Sequence, residues 1–350
     1  MNEALALALD RMGCNVSINP WQATISPEYP LTERLHALSY KPPYGGLTIR
    51  HTYPHCPEGI QGRQKALILP WEVSLLPSEW LDPLNRLDFI FTPSQFSRKA
   101  LIKSGVEQSK VRVIANGVDL ERFHPHVPPL GITGNLQQCH YTRPDLSLTR
   151  RTFKFLHLGH AQIRKGTDLL IDAYLQEFTG KDDVCLVVKS YDEGDILPWI
   201  TASVKGSGDA PRLLYIYGNT PPHLLPSYYT ACDCVVHPCR GEGFGLPLLE
   251  AQACALPVIV TGWSGPMDFC TKENSYLLNY ELESARDFHV PVPKEAVWAK
   301  PDIEHLRYLM RYVYEHSDEA QQKGQVAAQQ AAWWSWDRAA YELVKIILSS

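Results

Sequence analysis

Residues 240–261 read RGEGFGLPLLEAQACALPVIVT. Gly243 and Gly245 let a backbone come close to a ligand. From Leu246 the pattern turns helical. The first N–H groups of a helix lack internal partners, and such a terminus binds phosphate. Glu242 precedes this helix, and Glu250 follows after seven intervening residues. Carboxylates accept hydrogen bonds from vicinal hydroxyls. A diphosphate on the helix terminus would therefore leave each carboxylate facing a different end of a nucleotide-sugar. The same residues also suit an ordinary glycine-rich turn, with Glu242 solvated and Glu250 on an exposed helix face.

Other candidates sit at strand ends. Arg164 and Lys165 follow the strand-like FKFLHL in the stretch GHAQIRKG. They read either as a phosphate-neutralising pair or as two solvated loop charges. RHTYPHCPEG (50–59) follows another strand and carries His51, His55 and Cys56. That spacing fits no standard zinc pattern, so no metal site is assigned. Trp71 and Glu72 follow ALIL. Ligands bind outside the carboxyl ends of parallel strands, which makes these two candidates for an acceptor cleft. A packed Trp and a surface Glu is the equal alternative. Cys232, Cys234, His237 and Cys239 read as core positions of a buried strand.

The elements that must hold these residues alternate between strand and helix. LTIR (47–50), ALIL (66–69), DFIFT (88–92) and residues 110–114 read as strands. Ser94 and Gly105 cap a helix between them, and Asn116-Gly117 reads as a turn. Residues 124–151 are rich in Pro, Gly and polar residues and carry no period. A second series of strands follows at 153–158, 184–189, 213–217, 234–237 and 257–261. Three helices are expected over 302–316, 318–332 and 335–348. Alternating elements imply parallel sheets covered on both faces.

The chain has 350 residues, enough for two domains. It is 45% hydrophobic and 20% charged, so it can bury a full core. Formal net charge is −5. Residues 1–130 carry 13 Lys and Arg against 12 Asp and Glu, so no basic half exists to bind nucleic acid. Nine scattered cysteines, an odd number, read as reduced and cytoplasmic. No apolar run reaches the roughly 18–20 residues of a membrane span.

The motifs together resemble the family 4 glycosyltransferases of GT-B fold. FTPSQFSRKALIKSGVEQSKVRVIANGVDLERFHP (91–125) is similar to the end of that family's N-terminal domain. FKFLHLGHAQIRKGTDLLIDAY (153–174) is similar to the opening of its C-terminal domain, and residues 231–269 to its donor loop. The implied architecture is α/β, with two Rossmann-like doubly wound domains facing each other across a cleft. The N-terminal acceptor domain would span 1–125, a linker 126–152, the nucleotide-sugar donor domain 153–332, and a closing helix 333–350. The resemblance assigns Glu250 to the donor ribose, Glu242 to the donor sugar, and the backbone of Gly243, Phe244, Gly245 and Leu246 to the diphosphate. Lys165 matches the family's diphosphate lysine. Where the family often has Gly-Arg, this chain has Gly159-His160, a weaker cation at neutral pH. Arg164 compensates only if it turns inward. His51 falls near the family's active-site histidine.

The resemblance implies a retaining, metal-independent sugar transfer from a nucleoside-diphosphate sugar to a hydroxyl acceptor, with no cofactor. The acceptor could be a glycan, a lipid-linked molecule or another alcohol. Peripheral association at the inner membrane face is compatible with a lipid-linked one. Family members open with a strand and a glycine-rich loop, whereas this sequence opens on a helical stretch, Ala4–Met12, then a strand-like Val16–Ile18. The expectation is an N-terminal domain incomplete at its start, through a misplaced start, degeneration or compensation. A non-catalytic nucleotide-sugar-binding or scaffold protein is therefore the alternative from another class. Sugar-nucleotide epimerisation is a further GT-B chemistry to separate.

Overall fold

The computed structural model describes residues 2–19, 33–39, 46–52, 59–132, 139–141, 151–191 and 209–349. His55 and Cys56 lie outside them. Two sheets dominate. The first is parallel, with β1 (Leu47–Arg50), β2 (Gln64–Ile68), β3 (Phe89–Thr92) and β4 (Val111–Val113) in that order. Helices α1 (Asn2–Arg11), α2 (Glu33–Ser39), α3 (Leu81–Asn85) and α4 (Gln95–Ser104) belong to this half of the chain. The Ser94 hydroxyl accepts from Ser97 N–H, and Gly105 closes α4 at φ 112°, as the cap residues require.

The second sheet has seven strands. These are β5 (Cys139–Tyr141), β6 (Phe153–Leu158), β7 (Val184–Lys189), β8 (Arg212–Ile216), β9 (Cys234–His237), β10 (Val258–Thr261) and β11 (Tyr276–Leu278). Their order across the sheet is β11-β10-β9-β6-β7-β8-β5, and only β5 is antiparallel. Without β5 this is the doubly wound order of a dinucleotide-binding fold. Its order reverses between β6 and β9, and the crevice there is where ligands bind. Helices α5 (Thr167–Glu177), α6 (Leu225–Thr230), α7 (Leu246–Ala253), α8 (Ile303–Glu315) and α9 (Ser317–Ala331) accompany the sheet, and α10 (Trp336–Leu348) ends the chain. A two-stranded antiparallel ribbon, β12 (Tyr280–Ser284) and β13 (Val297–Pro301), follows β11.

Strand alternation explains the core. Leu156, Cys185 and Val187 face one apolar layer, while Phe155, Val184, Leu186 and Val188 face the other. The N-terminal sheet is covered partly by the other half of the chain. On one face, Trp336, Ala339, Ala340 and Leu343 of α10 join Leu5 and Ala8 of α1 against Ala66, Phe89 and Phe91. On the other, Ala285, Phe288, Ala296 and Trp298 of the ribbon region join Leu67, Leu69 and Trp71. Burial of a large side chain contributes about 1.5–3 kcal/mol, so these late segments are integral to the first core.

Three expectations change. Val16–Ile18 form no strand; the chain runs extended there, and Ile18 N–H donates to Leu38 O at 3.1 Å. Asn116-Gly117 is no turn either. Gly117 lies against the start of α10, where an added Cβ would fall 2.2 Å from Trp336 N. Part of the stretch read as linker, Cys139–Tyr141, pairs with β8 as an edge strand. No helix among the described residues is long and apolar enough to cross a membrane.

Candidate active site

The switch point between β6 and β9 carries a dense charged cluster. Beyond β6 the chain makes a short turn at Ile163–Lys165 and enters α5 through Gly166. Beyond β9 it runs through Pro238 to the loop 240–245 and enters α7. Gly166 has φ 72°, and a Cβ there would fall 1.9 Å from Pro238 O, so only glycine allows the two crossings to touch. Arg240 fastens them. Its guanidinium makes a bidentate pair with Asp168 in the first turn of α5, at 2.9 and 2.8 Å, and it also donates to Ile163 O.

Glu242 is the centre. Its Oε1 lies 2.5 Å from Lys165 Nζ and 2.8 Å from His237 Nε2. Its Oε2 lies 3.4 Å from Arg164 Nη1, and its backbone N–H donates to Ser264 Oγ at 3.0 Å. Burial alone would raise the Glu242 carboxyl. The charges of Lys165 and Arg164 and the His237 hydrogen bond overcome this and hold it well below the ordinary carboxylate range. His237 stacks on His157 at 5.3 Å. The Val236 carbonyl can only accept, so His157 Nδ1 carries the proton and donates to it at 2.9 Å. His157 Nε2 then accepts from the Thr167 hydroxyl, also at 2.9 Å. Burial, then the neighbouring His237, keeps His157 neutral, with its pKa lowered to about 3.

Arg164 turns inward, as compensation for His160 requires. Its Nη1 donates to Gly241 O at 2.7 Å, and its Nη2 lies 3.7 Å from Glu72 Oε1. Glu72 arrives from the loop after β2, so the pair joins the two sheets. His160 is half-buried directly after Gly159 at the end of β6. His51 is half-buried and directly follows β1.

The two halves meet closely around this cluster. A Cβ on Gly241 would lie 2.0 Å from Glu72 O, and one on Gly243 would lie 2.9 Å from Pro70 Cβ. Ser97 Oγ donates to Trp71 O at 2.7 Å and lies 3.3 Å from Gly243 O. Gln95 N–H donates to Asp268 Oδ2 at 2.8 Å across the same boundary. Trp71 does not line a cleft. It is only 1% exposed, donates from Nε1 to Leu75 O at 3.1 Å, and packs edge-on against Trp80 and Phe288. The large apolar ring finds more buried area in the core than at a cleft wall.

The helix expected to hold phosphate is present. Gly245, at φ 95°, is the N-cap of α7, and Leu246 opens the helix. The Phe244 side chain packs at 4.9 Å against Phe269, leaving backbone as its free contribution to a ligand. Glu250 stands apart from the cluster, inside α7. It is buried, not on an exposed helix face, and its Oε2 accepts from the Tyr229 hydroxyl at 2.7 Å. Burial raises its pKa to about 7, with the Tyr229 hydrogen bond and the Arg122 charge opposing.

His237, Cys239 and Glu242 place three metal-type donor atoms within 4.8 Å of one another. An ammonium already lies 2.5 Å from this carboxylate, and burial raises the Cys239 thiol pKa. Neither the role of Arg240 nor the contact of His237 with Glu242 is apparent from local sequence spacing. Arg240 opens the quoted loop, and its charge beside three glycines was the available signal.

This is a GT-B fold, with a doubly wound domain whose charged crevice faces a second parallel sheet. Comparison with known proteins gives the family. Residues 26–122 match the model of Glycosyltransferase Family 4, and residues 152–288 match that of Glycosyl transferases group 1. Both halves of the chain thus resemble the group 1, family 4 glycosyltransferases. A D-inositol 3-phosphate glycosyltransferase of Salinispora tropica is 30% identical over 69% of this chain and 46% of its own length. The lipopolysaccharide core biosynthesis mannosyltransferase LpsB of Rhizobium meliloti is 32% identical over 43% of this chain and 40% of its own. The chain thus spans under half the length of these curated relatives. Among solved structures, Anabaena HepE in complex with UDP and glucose superposes with a TM-score of 0.62 at 19% identity, covering 82% of this chain and 72% of its own. Sucrose-phosphate synthase of Thermosynechococcus elongatus gives 0.66 at 16% identity, covering 99% and 91%.

Proposed function

We propose that the protein transfers a sugar from a nucleoside-diphosphate sugar to a hydroxyl acceptor with retention of anomeric configuration. The observation that carries this reading is the convergence of Lys165 and Arg164 on Glu242 at the switch point, beside the loop leading into α7. Two cations there can take the charge that develops on a departing diphosphate. Transfer then needs neither a metal nor another cofactor. The α7 terminus cradles the diphosphate, Glu250 holds the ribose and Glu242 the sugar. Closure of the two sheets excludes water and suppresses hydrolysis.

The family resemblance supports the reaction class and retention. The HepE complex, which contains UDP and glucose, supports a uridine nucleotide as the first donor to test. The acceptor is a glycan or a lipid-linked alcohol, in line with the LpsB relative's role in lipopolysaccharide core biosynthesis. The described cysteines are free thiols, which supports a cytoplasmic setting.

The test is calorimetric titration of UDP, GDP and ADP into the folded chain, with Glu250→Ala alongside. Selective binding lost in the variant is the expected result. It is followed by NMR assignment of the product anomer once a donor is known. Folded protein that binds none of the three overturns the donor reading. Donor binding without transfer to any acceptor leaves the binding-only alternative, and donor consumption without acceptor favours epimerisation.

A further inference from the structure

Arg164 is the under-used cation of the cluster. Lys165 has a close carboxylate, whereas Arg164 stands 3.4 Å from one and 3.7 Å from the other. Its side chain is 13% exposed, and its buried Nε finds no acceptor among the described residues. A buried guanidinium N–H left unpaired has a substantial desolvation cost, so this group is poised for a better anion.

Glu72 is the carboxylate that faces it. Its side chain is 19% exposed, and its other charged neighbours are Glu242, a repulsive partner, and Lys165. Beyond Arg164 lie His289 and the buried Cys239 thiol. The Glu72 backbone is wedged against Gly241, so its main chain cannot retreat without moving the donor loop. Only the carboxylate can swing. The cluster holds two cations against two carboxylates, Glu242 firmly bound and Glu72 loosely. An arriving diphosphate must take cation contacts from one of them.

We propose that Glu72 is an internal counter-anion of the donor site, occupying Arg164 until a nucleoside diphosphate displaces it. Glu72 is then a positioning residue: it keeps Arg164 folded inward across the sheet boundary and hands it to the phosphates when the donor arrives. This rests on the donor reading above. It goes beyond that reading by adding a competitor supplied from the opposite sheet.

A competitor and a structural prop make opposite predictions. Glu72→Gln keeps shape and removes charge, so a competitor predicts tighter binding. UDP, GDP and ADP are titrated into wild type, Glu72→Gln, Arg164→Ala and the double variant, with melting curves to establish folding. The expected result is a dissociation constant about fivefold lower in Glu72→Gln, with the gain absent on the Arg164→Ala background. Binding in wild type with equal or weaker binding in Glu72→Gln overturns the proposal and leaves the donor site intact. Equal gains with and without Arg164 also overturn it, because the effect would then be bulk charge. Folded proteins that all bind no nucleotide overturn the donor reading, and this proposal with it.

Discussion

Lys165 and Glu242 reach each other from the two strands that flank the reversal of strand order, and they meet at 2.5 Å. One follows β6 and the other follows β9, so their contact closes the crevice of the doubly wound sheet over its own charge. On the proposed reading the pair holds an ammonium where a leaving phosphate would need one, with the carboxylate orienting it.

Lys165→Ala should cut sugar transfer by about 100-fold or more, the usual cost of removing one electrostatic stabiliser of a developing anion. Initial rates of nucleoside-diphosphate release check it. Transfer as fast as the parent would remove Lys165 from the mechanism.

Glu250 should make nucleotide binding pH-dependent. Its pKa stands at about 7, so on the proposed reading the carboxylate that would accept the ribose hydroxyls gains population as pH rises through 7. Affinity should strengthen over that range and flatten in Glu250→Gln. Stability of the unliganded protein runs the other way. The folded state holds the Glu250 proton while the unfolded chain has already lost it, so between the ordinary carboxylate range and about pH 7 this group's contribution falls as pH rises. Melting temperatures of parent and Glu250→Gln across pH 4–8 report the slope.

Gly241→Ala should destabilise the protein by about 2–3 kcal/mol, because its Cβ would fall 2.0 Å from Glu72 O, a backbone atom with little room to yield. Denaturant titration measures the cost. An unchanged midpoint would mean that the two loops separate freely.

Trp71→Ala should cost about 3–5 kcal/mol through the cavity left among Trp80, Phe288 and Leu75. Trp71→Phe should restore much of the stability. In that variant the KM for the acceptor should stay at the parent value, since the ring contributes packing. A raised acceptor KM at normal stability would return Trp71 to the cleft.

Much of this was legible in residue pattern. β1, β6, β7 and β9 occupy the expected segments because each is a compact apolar run bounded by turn residues. The loop 240–245 and α7 are legible because glycines and a helix start sit together. Other features were hidden for physical reasons. β12 and β13 alternate too weakly to show a period, with Tyr280, Glu281 and Leu282 all exposed, and the ribbon gains its stability from the distant Trp71 core. Arg164 reads equally as a phosphate-neutralising cation or a solvated loop charge until Glu72, about ninety positions earlier, is seen beside it. His237 reads as an apolar-strand core residue, and only the loop's return brings Glu242 to its ring. Long-range pairings of this kind leave no local trace.

The hydrogen bond from Gln95 N–H to Asp268 Oδ2 ties the two halves of the chain together at the start of a helix. The first free amide of α4 is covered by a side chain borrowed from the other sheet. Separating the halves uncovers that amide and strands the carboxylate, so water must replace both partners before the gap widens.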